Sequence, residues 1–394
     1  MSRLTRFLGI AHPDSLTAHP PGPRLRVVIN ALHAKSGGGV TYLRNILPLM
    51  ADDARLDLHV FLHRSQLALF DPLDRRVVVH VFDFPPGFAR LMAWEQLVLP
   101  LMARMAAADL VFSPANFGSV LIGRQVILLR NALAVARTET RWSKRLYWVA
   151  LGLITLVSLL RAKRAIAVSR YAADSLSLGL KRLFGDKISV IHHGIAPRFT
   201  PDPAVHRQDF ILAVSDIYVQ KNLHTLFRAM TPVFQRHPHL RLLVAGEKID
   251  PWYYDHVTAL AASQGLLDRI TFLGRVGGDD LLRLYRQCLM FVFPSTAETF
   301  GNPLVEAMAC GAPVACSNTT AMPEIVDGAA LLFDPLDSDG MAAAILRMLA
   351  DGDLRDSLSR QGVRRAAAFS WRDTAARTCQ ILVDAAESAG RRQP

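Results

Sequence analysis

Residues Ser295–Pro313 read S-T-A-E-T-F-G-N-P-L-V-E-A-M-A-C-G-A-P. The spacing predicts a short helix of roughly two turns. Asn302 suits its N-cap and Pro303 its first position, because proline has no N–H to lose there. Gly311 suits a left-handed end, and Pro313 prevents the helix from resuming. Such a helix start turns free N–H groups and the positive dipole end toward the preceding loop, a setting for a phosphate. Glu298 stands in that loop and Glu306 inside the helix. Ionised carboxylates only accept hydrogen bonds, so they suit hydroxyl groups and not the phosphate itself. A ligand with both a diphosphate and many hydroxyls is a nucleotide sugar.

Outward from this segment, β-branched apolar runs alternate with amphipathic stretches. Leu25–Asn30, Leu56–Leu62, Val77–Phe82, Leu110–Ser113, Val126–Leu129, Arg164–Ser169 and Ile188–His192 read as strands. Tyr42–Ala51, Trp94–Ala107 and Arg170–Phe184 read as helices between them. Continuous apolar strands between helices indicate parallel sheets covered on both faces. Prolines 197, 201 and 203 interrupt the pattern, placing a linker near Ala196–Arg207. It restarts with Phe210–Ser215, Arg241–Ala245, Ile270–Leu273, Met290–Phe293 and Val314–Ser317. The expectation is an α/β protein of two doubly wound, Rossmann-like domains. The boundaries are a flexible leader 1–23, a first domain 24–197, a second domain 198–372 and a C-terminal segment 373–394. A chain of 394 residues is long for a single core, which agrees.

Charge divides the halves. Residues 1–197 hold 25 Lys and Arg against 12 Asp and Glu, a net of +13; residues 198–394 hold 20 against 22, a net of −2. A basic first domain suits an anionic surface. No zinc finger, helix-turn-helix or RNA-binding pattern is present, so nucleic acid is not an expected partner. The alternative is an arginine-rich soluble protein. Residues Leu146–Leu160 are the most apolar segment, and fifteen helical residues reach about 22 Å, short of the roughly 30 Å hydrocarbon core. A buried helix or one lying in a membrane interface is expected there, and the tryptophans and flanking cations fit the latter. Residues 1–23 do not read as a secretory signal, since His12, Pro13 and Asp14 break a short apolar run. Four cysteines without a C-x-x-C pair read as free thiols of a reducing cytosol.

The segment 295–313 resembles the E-x7-E signature of retaining glycosyltransferases of the GT-B fold, family 4. The match continues through Pro323-Glu324-Ile325 to Phe333-Asp334-Pro335. The resemblance runs from about Arg24 to about Trp371 and is strongest after Phe210. It implies two Rossmann-like domains facing across a cleft. It implies that Glu298 binds donor-sugar hydroxyls and positions the anomeric carbon, and that Glu306 holds the ribose hydroxyls. Phe300, Gly301, Asn302, Pro303 and Leu304 would form the helix start at the diphosphate.

Lys221, in Q-K-N-L-H-T-L, matches the family lysine that contacts the donor diphosphate, a point charge at a strand-to-helix turn. Relatives commonly add an arginine just upstream; this chain has Ser215, Asp216 and Gln220 there. Gly37-Gly38-Gly39 resembles the first-domain glycine loop beside the donor diphosphate or the acceptor; Gly38 and Gly39 let backbone N–H groups approach an anion. Arg130 stands where many relatives have a histidine, and is either a stabiliser of phosphate charge or structural. His193, in H-H-G, resembles the family pair that lines the cleft. Gly246 and Arg275 match positions lining the nucleotide pocket. Asp337-Ser338-Asp339 reads as a helix cap and not a metal site, so no metal or other cofactor is expected.

The resemblance implies transfer of a sugar, with retention, from a nucleotide-diphosphate sugar to a glycan or polyprenyl-linked glycan acceptor, and the basic, tryptophan-flanked first domain favours the lipid-linked one. The setting would be surface polysaccharide assembly, in the cytoplasm or on the inner face of the membrane. The alternatives are a non-catalytic nucleotide-sugar-binding or membrane-assembly subunit, or another GT-B enzyme such as an epimerase. The last helix is expected to start near Trp371 and to pack back on the first domain.

Overall fold

The computed structural model describes residues 24–35, 37–130, 141–177, 179–180 and 184–388. The leader 1–23 expected from the sequence lies outside them. The described chain forms two compact units. One holds residues 24–130, 150–194 and 371–388; the other holds 141–149 and 195–370.

The first unit is built on seven strands: β1 (Leu25–Asn30), β2 (Leu56–His63), β3 (Val78–Phe82), β4 (Leu110–Ser113), β5 (Gln125–Leu129), β6 (Arg164–Ala167) and β7 (Ile188–Val190). Their order is β3-β2-β1-β4-β5-β6-β7, and every neighbouring pair is parallel. β4 and β5 are buried along their whole length, as continuous apolar runs require. Helices flank the sheet. Those used below are α1 (Gly37–Met50), α2 (Leu99–Met105), α3 (Trp142–Arg161), whose residues from 150 on belong to this unit, and, after the second-unit helices α4 (Leu223–Arg236) and α5 (Asn302–Ala309), α6 (Trp371–Glu387). α6 packs against α1 in the first unit, where Tyr42 meets Trp371 at 6.0 Å between ring centroids and Thr374 donates to the His192 carbonyl at 2.8 Å.

Three sequence expectations need correcting. The glycine triplet is not a loop ahead of a helix beginning at Val40; it forms the first turn of α1. The stretch Trp94–Ala107 is not one α-helix, because Trp94–Val98 is a π-helical turn before α2. Pro100 cannot donate to the carbonyl four residues back, and the Leu99 N–H reaches the Trp94 carbonyl instead. The helix expected over Arg170–Phe184 ends at Leu176, where the Ser177 hydroxyl bonds back to the Asp174 carbonyl at 3.1 Å.

α3 has two faces. Leu151, Thr155, Ser158 and Leu159 are buried, whereas Leu153, Val157 and Leu160 are exposed. No helix among the described residues is long and apolar enough to cross a membrane.

The second unit carries β8 (Gln208–Val214), β9 (Arg241–Ala245), β10 (Ile270–Gly274), β11 (Cys288–Phe293), β12 (Val314–Ser317) and β13 (Leu331–Phe333). The order is β10-β9-β8-β11-β12-β13, again all parallel. Only β13, three residues long, escaped the sequence reading. α4 lays Leu223, Leu226, Phe227, Met230 and Val233 on this sheet, all fully buried. Each such side chain contributes roughly 1.5–3 kcal/mol by leaving water.

Candidate functional site

In an open parallel sheet, loops part where the chain order reverses, and ligands bind there beyond the carboxyl ends of the strands. In the second unit that reversal lies between β8 and β11. The loop after β8 carries Lys221 and the loop after β11 carries Glu298. The two side chains meet, Lys221 Nζ lying 2.5 Å from Glu298 Oε1. Lys221 also sits over the rings of Tyr218 and Phe293, at 5.4 and 5.6 Å from their centroids. Burial alone would lower the Lys221 ammonium. The Glu298 carboxylate, followed by Tyr218, outweighs it and holds the pKa above the usual lysine range.

The two loops are tied to each other by backbone. Thr296 N–H donates to the Gln220 carbonyl at 2.8 Å. Asn222, fully buried and left-handed at φ +57°, donates from Nδ2 to the carbonyls of Pro294 (3.0 Å) and Pro335 (2.7 Å). Its Oδ1 accepts from Thr225 Oγ1 at 2.7 Å. One amide therefore joins the ends of β8, β11 and β13. Glu298 is held from a third side, its N–H donating to Thr320 Oγ1 at 3.1 Å and its carbonyl accepting from Ala321 N–H.

α5 begins one residue earlier than the sequence suggested. Gly301, not Asn302, is the N-cap, and Pro303 follows within the first turn. The reason is the turn itself: Gly301 has φ +87°, and a Cβ there would stand 3.1 Å from Leu304 Cδ1. α5 is eight residues long, and Gly311 follows it in the left-handed region. Gly301 has no side chain with which to cap that start. Phe300 is buried against Phe369 in an edge-to-face pair at 5.5 Å, and Leu304 is buried behind the turn. Glu306 projects from α5 and accepts from the Tyr285 hydroxyl at 2.9 Å. Burial pushes the Glu306 carboxyl above the usual carboxylate range, opposed by the Tyr285 bond and the charge of Arg198.

Gly246 follows β9 where the backbone of the next strand end comes close. A Cβ on it would lie 1.9 Å from the Ser215 carbonyl oxygen. Arg275 is largely exposed and pairs with Glu247 at 3.3 Å. Asp337 caps the helix Ser338–Ala350, accepting from the N–H groups of Asp339 (3.1 Å) and Gly340 (2.9 Å).

In the first unit the order reverses between β1 and β4. Arg130, just past β5, lies on the glycine turn: a Cβ on Gly39 would stand 2.6 Å from its Nη2. The guanidinium is anchored by Nε donation to the Pro114 carbonyl at 2.9 Å, and its backbone N–H donates to Asn116 Oδ1 at 2.8 Å. Burial lowers its pKa to about 10. Gly38 is exposed on the same turn. His193 is buried between Tyr42, at 5.3 Å, and Trp371, at 5.5 Å.

The sequence reading missed four supporting residues. Asn222 and Thr320 carry no spacing signal beyond their loops. Tyr285 looks like an ordinary apolar-face residue of the helix Gly278–Gln287. Glu95 was legible as a carboxylate within the apolar run A-W-E-Q-L. It is fully buried in the π-helical turn, where it accepts from Asn30 Nδ2 at 2.8 Å and meets His33 Nε2 at 2.9 Å.

Known proteins resemble this chain in sequence and in fold. Residues 199–365 match the family described as glycosyl transferases group 1. The serotype-specific mannosyltransferase WbdA of Escherichia coli is 31% identical over 229 residues, 56% of this chain and 27% of that protein. The O-antigen chain mannosyltransferase B of Escherichia coli is 35% identical over 173 residues, 43% of this chain and 45% of that protein. The chain thus spans from about a quarter to under half of these relatives' lengths. Among solved structures, HepE from Anabaena, solved with UDP and glucose, superposes with a TM-score of 0.74 at 21% identity, covering 92% of this chain and 100% of that one. The chain has the GT-B fold, and its residues 199–365 match the group 1 glycosyltransferase family.

Proposed function

We propose that this protein is a retaining glycosyltransferase that moves a hexosyl group from a nucleotide-diphosphate sugar to a lipid-linked glycan acceptor, in surface polysaccharide assembly. The observation that carries the reading is the juxtaposition of Lys221, Glu298 and the start of α5 around the switch point of the second sheet. An ammonium beside a helix start stabilises a diphosphate as it takes up the charge of the broken bond to the anomeric carbon. Glu298, at 2.5 Å from that ammonium, is placed to accept from donor-sugar hydroxyls. Glu306, steadied by Tyr285, accepts from the ribose hydroxyls. The departing phosphate takes the acceptor proton, so no separate general base is assigned, and no metal is required by this scheme. Arg130 over Gly39 supplies a fixed cation at the strand ends of the first unit.

The mannosyltransferases among the relatives make mannosyl transfer the first activity to assay, and HepE, solved with UDP and glucose, makes UDP-glucose the second. The test is a thermal-shift panel of UDP, GDP, dTDP and CMP with their sugars, on the native protein and on Glu306→Ala, followed by turnover with the stabilising donor. A ligand that binds only the native state raises the melting temperature. One nucleotide should do so and lose its effect in the variant. No shift with any of them at millimolar concentration contradicts the proposal.

A further inference from the structure

On α3 the exposed side chains Leu153, Val157 and Leu160 are 59%, 45% and 55% accessible. Their spacing of four and three residues puts them on one stripe, opposite the buried Thr155, Ser158 and Leu159. Beside the C-terminal end of the helix lies Leu121, 60% accessible, on a turn bonded to α3: Arg161 Nε donates to the Val120 carbonyl at 3.1 Å.

The stripe runs into charge. Leu160 also lines an open depression of about 630 Å³ whose other walls include Arg124, Arg161, Lys163, Arg164 and Lys187. Five cations and no carboxylate line it. The bonds that orient them go to backbone carbonyls: Arg161 to Val120, Arg164 to Asp186 and Lys187 to Leu160. These three bonds hold Arg161, Arg164 and Lys187 in place without neutralising them. Aliphatic side chains left in water next to concentrated positive charge are the two halves of an interfacial membrane site. The first bury against acyl chains and the second hold headgroup phosphates. The apolar part is a ridge on one helix and not a groove, so it fits a deformable lipid phase better than a complementary protein element.

We propose that this face of the first unit, the α3 stripe with the cationic depression at its end, docks on a bilayer rich in anionic lipid headgroups. This deepens the lipid-linked acceptor reading, and binding is measured separately from transfer. Full-length protein is floated with vesicles of phosphatidylcholine alone or mixed with phosphatidylglycerol, at low and raised salt. The native protein should float with the anionic vesicles and about tenfold less with the neutral ones or in raised salt. Leu153→Ser/Val157→Ser/Leu160→Ser and Lys163→Glu/Arg164→Glu should each lower flotation by about tenfold or more.

Failure of the native protein to float, or equal flotation of either variant, overturns the proposal. Because a variant can fail to fold, Leu160→Cys carrying an environment-sensitive dye supplies an independent reading; the four native cysteines are buried. Its emission should shift to the blue on anionic vesicles, and an unchanged spectrum overturns the proposal too. Loss of flotation with transfer to a soluble acceptor intact would refute the surface and spare the reaction. Flotation without turnover on any acceptor would do the reverse.

Discussion

Asn222→Asp is nearly isosteric and keeps a residue that tolerates the left-handed backbone at φ +57°. What it changes is one group: the amide nitrogen that donates to Pro294 and Pro335 becomes an oxygen, 3.0 and 2.7 Å from two carbonyl oxygens. Two buried acceptors lose their donor, at roughly 1–3 kcal/mol each. The expected loss of stability near neutral pH is therefore about 2–6 kcal/mol, with the ionised form adding repulsion. Protonation restores one donor, so the folded state favours the protonated carboxyl and its pKa rises above the unfolded value of about 3.9. Between those two values the folded chain binds the extra proton, and stability relative to the native protein falls as pH rises through that window. Urea unfolding of both proteins at several pH values between about 4 and 8 measures this. A penalty under about 1 kcal/mol, or one that shrinks with rising pH, would refute the role given to this amide. Because the loop holding Lys221 hangs on the same side chain, the nucleotide-dependent rise in melting temperature should weaken in the variant as well.

Other expectations follow from single contacts. Lys221→Met and Glu298→Gln should each lower kcat by about 10²–10³-fold; retention of activity within about threefold in both would remove them from the chemistry. Gly246→Ala must push the backbone off the Ser215 carbonyl, at a cost of about 3 kcal/mol or more, and should lower the melting temperature by roughly 6–12 °C in calorimetry. Gly39→Ala should displace the Arg130 guanidinium and lower transfer while leaving nucleotide-induced stabilisation of the second unit intact; loss of both in the thermal-shift panel would contradict the separation. Burial pushes the Cys288, Cys310 and Cys379 thiols up to about 12, so a thiol reagent near pH 8 should find no fast-reacting cysteine until denaturant exposes all four.

Strand positions were legible because parallel strands buried on both faces are continuous apolar runs. β1, β4, β9 and β12 fall on the residues expected of them, and the other expected strands shift by a few residues at their ends. β13 was invisible because three apolar residues make no run. The π-helical turn at Trp94–Val98 was hidden because the apolar periodicity passes through it; only Pro100 and the lone carboxylate of Glu95 mark it.

What the sequence determined by itself was local: the alternation that demands two parallel sheets, the capping of the helix after Asp337 and the short helix ending at Gly311. Each is a preference of a few neighbouring residues and survives without knowledge of the rest of the chain. The meeting of Lys221 with Glu298 across 77 positions was decided by tertiary structure, as were the seating of Arg130 on Gly39, the Tyr285 hydroxyl under Glu306 and the Asn222 amide bridging three strand ends. Those pairings depend on strand order, since it is the reversal between β8 and β11 that brings two distant loops side by side. Strand order is set by how helices cover the whole sheet, and no window of sequence contains that information.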